Sequence, residues 1–376
     1  MAGIYIHIPF CKQKCSYCDF HFSTTYAEYR DRMIQAIISE IHIRANHLED
    51  RLLETIYFGG GTPSLLSSEE LQFILDTIKS NFKVVKDAEI TLEANPDDIN
   101  DESLETWKAN GINRLSIGLQ SFREKDLKWM NRAHTVEESL NCVALAQAHG
   151  FDNLTVDLIY GLPDLSMQEW ENHVQKVIEM NVPHISAYCL TVEPKTALNS
   201  WVKKGIIKTG SEDDQSDQFI RLLDIMEENG YVQYEISNYC KVNFHSKHNS
   251  NYWKGEWYLG IGPSAHSYNG SERTWNIANN QTYMNNLENE IEFFETETLS
   301  EIDKFNETIL IGLRTITGVN LKNLNEEYRS SNEFIMNCER FQSKAWMLRI
   351  GDTLTLTKEG KLRADYIASE LFLVQD

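Results

Sequence analysis

An α/β fold is what the sequence predicts: a partial parallel (β/α)6 barrel followed by a small C-terminal winged-helix-like domain. Between residues 3 and 190, short β-branched or aromatic runs alternate with amphipathic helical stretches. Polar or cysteine-containing segments follow several of these runs, and from about residue 298 the pattern changes to helices and one hairpin. Alternating strands and helices imply a parallel sheet with right-handed crossovers. An open doubly wound sheet is the alternative, because periodicity does not establish closure.

The strands and helices predicted for the barrel alternate without interruption. The strands are expected at residues 3–8, 55–58, 88–93, 114–118, 154–158 and 185–190. The helices are expected at residues 26–48, 68–81, 101–110, 136–149 and 168–180. Ser67 and Asn100 offer N-cap side chains directly before two of these helices, and Gly111 and Gly150 stand where two of them end. The loops after the strands should therefore gather at one face of the barrel.

The rest of the chain is expected to complete the barrel and add a second domain. A helix at 212–229 and an edge strand at 230–236 end the barrel domain, which we place at residues 1–240. Residues 241–297 are rich in Asn, Trp and Tyr, which predicts long ordered loops that close the barrel. Residues 298–376 are expected to form a domain with helices at 299–314, 321–328 and 359–371 and a hairpin turn at Gly351-Asp352.

Charge and composition exclude several classes of function. The chain has 376 residues and a formal net charge of −21, which disfavours binding to nucleic acid. Peripheral membrane contact is not indicated either. The first residues lack the charged region and the long apolar core of a signal peptide, so we expect a cytoplasmic protein. The seven cysteines are an odd number with irregular spacing, and a disulfide framework is not expected.

Three of the cysteines lie within eight residues, directly after the first predicted strand: Cys11, Cys15 and Cys18. Thiolates select iron–sulfur clusters or zinc. A [4Fe-4S] cluster usually takes four cysteines, so three would leave one iron open to an external ligand. A Cys3His zinc site with His7 or His21 is the alternative, although structural zinc sites favour paired Cys-x2-Cys knuckles.

Polar residues also end or follow several of the other predicted strands. Gly60 and Gly61 belong to a glycine run after the second strand, and glycine lets the backbone approach a ligand closely. Carboxylates suit ribose hydroxyls and an ammonium, whereas Arg suits a carboxylate. These residues together predict a polar cofactor site at one end of the barrel. Its other candidates are Thr62, Glu93, Gln120, Arg132 and Asp157.

The cysteine triple and its flanking residues 5–11 and 18–20 resemble the signature of the radical-SAM superfamily. Within it they resemble the branch of the oxygen-independent coproporphyrinogen III dehydrogenases, which also includes haem chaperones. The resemblance covers about residues 3–320 and implies a [4Fe-4S] cluster on Cys11, Cys15 and Cys18 that binds S-adenosylmethionine. The contacts it implies for S-adenosylmethionine are Tyr5, Tyr17, Gly60, Gly61, Thr62, Glu93, Gln120, Arg132 and Asp157.

Two features set the chain apart from the dehydrogenases of that branch. Phe20 stands where the dehydrogenases carry a further cysteine, so the resemblance implies no decarboxylation of coproporphyrinogen. Residues 248–253, His-Asn-Ser-Asn-Tyr-Trp, resemble an element of the haem-chaperone subgroup and make His248 a candidate haem ligand, with His245 as a second. The nearby tyrosines and tryptophans suit a macrocycle.

The function expected from these features is a haem-binding chaperone that transfers haem to an acceptor protein. Its cofactors would be a [4Fe-4S] cluster and S-adenosylmethionine, and its partners haem and that acceptor. The first alternative is a radical-SAM enzyme that acts on a porphyrinogen or on another substrate. The second is a zinc-stabilised binding module.

Overall fold

A computed structural model describes residues 1–49 and 51–374 of the chain. The chain forms two compact units. The first contains Met1–Ser211 and Ser246–Glu297, and the second contains Glu212–His245 and the chain from Thr298 onward. These bounds correct the expected division into residues 1–240, 241–297 and 298–376. No described helix combines the length and the apolar character that crossing a bilayer requires.

Six parallel strands form the centre of the first unit, and each pairs with the next one in sequence. They are β1 (Ala2–Ile8), β2 (Leu53–Gly60), β3 (Val84–Ala94), β4 (Arg114–Gln120), β5 (Leu154–Tyr160) and β6 (His184–Cys189). Ile4, Ile6 and Ile8 of β1 are fully buried. Because side chains alternate along a strand, Tyr5 and His7 lie on the opposite face of the sheet. The predicted parallel α/β architecture is confirmed.

Seven helices connect or follow these strands. They are α1 (Arg30–Ile43), α2 (Ser68–Asn81), α3 (Asp101–Ala109), α4 (Glu124–Met130), α5 (Val136–Ala148), α6 (Met167–Glu179) and α7 (Ala197–Lys203). Capping boxes at Ser67 and Asn100 open α2 and α3, as their sequences predict. The helix expected at 26–48 is shorter, because α1 follows a 3-10 turn at Ala27–Tyr29.

The segment 212–245 contributes three elements to the second unit. They are α8 (Glu212–Glu228), β7 (Val232–Glu235) and β8 (Asn238–Cys240). The strands β7 and β8 pair antiparallel as a hairpin. The expected helix and strand are therefore present, but the structure assigns them to the second unit and not to the barrel.

Residues 246–297 return to the first unit and are not the loops that the composition predicts. They contain α9 (Lys247–Trp253), β9 (Trp257–Ile261), β10 (His266–Tyr268), β11 (Glu272–Asn276), α10 (Asn280–Glu288) and β12 (Phe294–Thr298). β9 pairs with β1 in parallel, and β10 and β11 follow antiparallel. A Cβ at Gly260 would stand 2.1 Å from the His266 carbonyl oxygen, so the close approach of β9 and β10 requires a glycine. That glycine interrupts the apolar run by which β9 could have been recognised.

The chain from Thr298 onward completes the second unit with helices and a small antiparallel sheet. The elements are α11 (Glu301–Leu313), β13 (Val319–Asn320), α12 (Glu326–Arg329), α13 (Asn332–Ser343), β14 (Met347–Ile350), β15 (Thr353–Leu356), α14 (Lys358–Lys361) and α15 (Ala364–Leu371). The predicted hairpin is β14–β15, in the sheet order β13-β15-β14. The expected helix at 359–371 is divided into two, that at 321–328 is reduced to α12, and α13 is additional. Ile309, Phe341 and Ile367 lie at the centre of this unit's core.

Candidate cofactor site

The three clustered cysteines lie on the loop that follows β1. The Cys11 sulfur accepts a hydrogen bond from Thr62 Oγ1 at 3.4 Å, and the Cys15 sulfur accepts one from Arg132 Nη1 at 3.6 Å. Burial raises the pKa of Cys11 to about 11 and that of Cys18 to about 12. The loop is held at its base, because the Cys11 amide donates to the Ser23 carbonyl at 3.1 Å.

The sulfurs are not gathered around one point. Within residues 1–49 and 51–374, no three His, Cys, Asp or Glu side chains are arranged to hold a metal ion. This holds for a cluster and for zinc alike, but the two histidines considered as a fourth zinc ligand have other partners. His7 Nε2 is instead hydrogen bonded to the His21 carbonyl oxygen at 2.7 Å, and His21 Nε2 to Asn280 Oδ1 at 2.6 Å. Hydroxyl and guanidinium donors on sulfur suit an anionic sulfur-rich cluster.

The glycine run at the end of β2 brings that strand against the cysteine loop. Gly60 has φ +105°, and a Cβ there would stand 2.6 Å from the His7 ring. A Cβ at Gly61 would stand 2.6 Å from the Phe10 carbonyl oxygen. Close packing of this turn on β1 and its loop thus requires both glycines. The approach of a ligand would be a second reason for them.

Two largely enclosed carboxylates lie on β3 and β5, the two strands that flank β4 in the same sheet. Glu93 on β3 accepts a hydrogen bond from the Tyr57 hydroxyl at 2.8 Å, and burial raises its pKa to about 6. The sequence predicts Asp157 at the end of its strand, but the structure places it in the middle of β5. Burial, and then the nearby charge of Glu93, raise the pKa of Asp157 to about 7. Tyr5 stacks on Tyr57 with ring centroids 6.0 Å apart.

Arg132 connects the strand ends to the cysteine loop. Its Nη2 donates to Asn95 Oδ1 at 2.6 Å and to the Gly118 carbonyl oxygen at 2.9 Å. Gln120 has φ +67°, and its side chain lies close to Gly118. A Cβ at Gly118 would stand 2.8 Å from the Gln120 amide nitrogen and 3.3 Å from Arg132 Nη2, so both side chains lie over this glycine. Asn95 is a site residue absent from the sequence-based candidates. Its side chain also donates to Thr62 Oγ1 at 3.4 Å. The sequence signal that could have identified Asn95 is its position two residues after Glu93, at the end of a predicted strand.

Tyr17 belongs to the same group of residues. Burial raises the pKa of its hydroxyl, although the Arg132 charge acts in the opposite direction. The charges of Cys15, Cys18 and Asp157 raise the pKa of this hydroxyl further.

Three polar atoms near this end of the strands are buried without a hydrogen-bond partner among the described residues. They are Arg132 Nε, Asp97 Oδ1 and Ser16 Oγ. Buried polar groups in proteins are nearly always paired, so such atoms suit a site that holds a polar ligand. The residues therefore fit both an iron–sulfur cluster and a charged, hydroxyl-bearing cofactor next to it.

His248 packs beside Tyr5 and Tyr57, and protein groups engage both of its ring nitrogens. It is 2% exposed, its Nδ1 is 2.8 Å from Thr55 Oγ1, and its Nε2 is 2.9 Å from the Tyr252 hydroxyl. Its ring stacks on Tyr57 with centroids 4.9 Å apart. Burial lowers its pKa to about 3. As placed, His248 presents no ring nitrogen to a haem iron, so the predicted ligand role does not fit the geometry. His245 is exposed and packs edge-on against Tyr234.

The fold and the cysteine loop define a radical-SAM protein, and the family model of the radical SAM superfamily matches residues 5–177. This superfamily implies a [4Fe-4S] cluster and S-adenosylmethionine as cofactors.

The chain belongs to the HemW family. It is 33% identical to the heme chaperone HemW of Bacillus subtilis, over 96% of this chain and 97% of that protein. It is 38% identical to the heme chaperone HemW of Escherichia coli, over 70% of this chain and 69% of that protein. The solved structure of coproporphyrinogen III oxidase HemN from Escherichia coli has the same fold. It superimposes with a TM-score of 0.85 at 21% identity, over 99% of this chain and 90% of that one.

Proposed function

We propose that the chain is a haem chaperone, which binds haem and transfers it to an acceptor protein from a radical-SAM framework. The observation that carries the proposal is the match to proteins named heme chaperone over nearly the full length of both chains. Haem is the cargo in this proposal and not a resident cofactor. We place the activity in the cytoplasm, as expected from the sequence.

Cys11, Cys15 and Cys18 are the proposed ligands of the cluster. Arg132 supplies a buried positive charge beside Cys15, which offsets the negative charge of a sulfur-rich cluster. The Thr62 hydroxyl donates to Cys11 and fixes the orientation of that sulfur. When bound, the cluster and S-adenosylmethionine supply electron transfer and radical chemistry.

The proposed S-adenosylmethionine site uses the polar residues at the strand ends. Glu93 and Asp157 would accept hydrogen bonds from the ribose hydroxyls and the ammonium group. The buried Arg132 Nε has no partner among the described residues and would donate to the ligand. Gly60, Gly61 and Thr62 would bring backbone groups to the ligand from the turn after β2. The remaining proposed contacts are Tyr5, Tyr17 and Gln120.

A second candidate is a radical-SAM enzyme that acts on a porphyrinogen. The observation that favours it is the set of unpaired buried polar atoms, since a protein that only carries haem does not need an intact cofactor site. Against it stands Phe20, which is 70% exposed where the dehydrogenases of this branch carry a cysteine.

Anaerobic reconstitution of the cluster, followed by haem titration of the same sample, tests the proposal. We expect about four iron and four sulfide per chain and one haem per chain. Excess apomyoglobin added to the loaded protein should then remove the haem. Coproporphyrinogen III should lose no carbon dioxide in the presence of S-adenosylmethionine and a reductant. Absence of haem binding in the wild-type protein contradicts the chaperone, and vinyl product at the rate of an authentic dehydrogenase assayed in parallel promotes the enzyme.

A further inference from the structure

An open cleft of about 650 Å³ lies beside the cysteine loop in the first unit. Cys18, Asp19, Phe20, Phe22 and Lys195 are among the residues that line it. Phe20 is 70% exposed, more than any other described phenylalanine. An exposed ring costs solvation free energy unless a partner covers it, and large apolar groups exposed within a concavity are typical of ligand sites.

The cleft also has a charge that the molecule as a whole does not share. The chain carries a net charge of −21, yet Lys14 and Lys195 both line the cleft, with Asp19 as the one acidic residue there. Neither lysine ammonium has a hydrogen-bond or ion-pair partner within the described part of the chain. An exposed apolar ring and two unpaired cations in one cleft suit a flat, hydrophobic ligand with two carboxylates.

We propose that this cleft, which we call the Phe20 cleft, is where the chain holds its haem. The macrocycle packs against Phe20 and Phe22, and the two propionates pair with Lys14 and Lys195. The assignment rests on the proposed function, since it gives a location to the haem of a haem chaperone. A porphyrin is the occupant that combines a broad apolar face with two carboxylates. A peptide or a nucleotide shares only one of these properties.

The cleft holds haem by its ring and its carboxylates, and not through iron. None of the residues that line it is a histidine. Cys18 is committed to the cluster in the reconstituted protein. Weak or absent axial ligation suits a protein that must release its cargo, because a strong Fe–His bond slows release. Iron-free protoporphyrin IX should therefore bind about as well as haem.

The test compares haem, haem dimethyl ester and iron-free protoporphyrin IX in fluorescence and absorbance titrations of the reconstituted protein. Phe20→Ala should weaken haem binding by at least about tenfold. Lys14→Glu and Lys195→Glu should each weaken it about fivefold at low salt, and neither should weaken binding of the dimethyl ester, which has no carboxylates. Phe73→Ala and Lys79→Glu, which change exposed residues of α2, are the matched controls and should behave as wild type.

The outcomes separate this assignment from the proposed function. If the wild-type protein binds haem and all cleft variants bind it equally well, the assignment is wrong and the haem site lies elsewhere. Loss of binding when iron is omitted from the porphyrin overturns it too, since an axial ligand would then carry the affinity. If the wild-type protein binds no haem, the proposed function fails first. The substituted side chains of the cleft are exposed, so the variants should keep the cluster content of the wild-type protein. Unchanged cluster content therefore reports that each variant is folded.

Discussion

Two side chains of the first unit differ in how completely they are paired: His248, towards the amino ends of the parallel strands, and Arg132, towards their carboxyl ends. At the amino ends, His248 from α9 fills the space beside Thr55 on β2. Both of its ring nitrogens are hydrogen bonded, and Glu89 of β3 accepts from its backbone amide at 2.9 Å. At the carboxyl ends, Arg132 Nε has no described partner, and the turn after β2 requires a left-handed glycine.

The difference distinguishes a structural histidine from a ligand-binding polar group. The burial of His248 leaves neither of its ring nitrogens without a partner. Arg132 Nε, Asp97 Oδ1 and Ser16 Oγ have no partner among the described residues, which costs stability unless a ligand occupies them. A histidine in an aromatic motif is therefore insufficient by itself to indicate a haem site, because protein groups can occupy both of its ring nitrogens.

The largest expected effect is at the cysteine loop. Cys15→Ser should remove most of the iron and sulfide after anaerobic reconstitution, because serine is a poor cluster ligand. Iron and sulfide assays and the visible absorbance of the cluster check this. Cys142→Ser is the matched control, since Cys142 lies in α5 and donates to the Ser139 carbonyl, as serine can. Full cluster content in Cys15→Ser would contradict the proposed ligand set.

The second effect tests the amino end of the strands. His248→Ala should lower the free energy of unfolding by about 3 kcal/mol, because it leaves Thr55 and Tyr252 unpaired and opens a cavity. Denaturant titration measures this. The Soret band and the affinity for haem should not change. His245→Ala, at an exposed position, should cost less than about 0.5 kcal/mol. Loss of the Soret band without loss of stability in His248→Ala would restore the ligand role.

The third effect is a pH dependence at the carboxyl end. Burial raises the pKa of Glu93 to about 6 and that of Asp157 to about 7, above the range of exposed carboxyls. The protonated forms thus persist at mildly acidic pH, and only the ionised forms accept hydrogen bonds through both oxygens. S-adenosylmethionine affinity should rise roughly tenfold as pH increases from about 5.5 to about 7.5.

The change that S-adenosylmethionine causes in the cluster's electron paramagnetic resonance spectrum reports this affinity. The Asp157→Asn variant should bind S-adenosylmethionine more weakly at every pH, and it should lose the part of the pH dependence nearest to about 7. A flat profile in the wild-type protein would indicate that these carboxylates do not contact the ligand.

Local patterns predicted much of the fold, and long-range packing explains what they missed. The helix starts at Ser67 and Asn100 follow from capping residues, which act within one turn. β9 was missed because Gly260 is required by contact with β10, which composition does not reveal. The cysteine triple is local and was recognised. Asn95 and the pairing of His248 depend on residues far apart in sequence, so only the folded chain brings them together.

The smallest expected effect lies at Tyr57, the residue that joins the two ends of the strands. Its ring stacks on His248 and its hydroxyl donates to Glu93 at 2.8 Å. Tyr57→Phe keeps the stacking and removes the hydrogen bond, so the free energy of unfolding should fall by only about 1 kcal/mol. The hydrogen bond lowers the pKa of Glu93, so its loss should move the acidic part of the S-adenosylmethionine binding profile to higher pH. Haem affinity should stay at the wild-type value. A change in haem affinity without a change in this profile would mean that Tyr57 serves the haem site, and the contrast between the two ends would then fail.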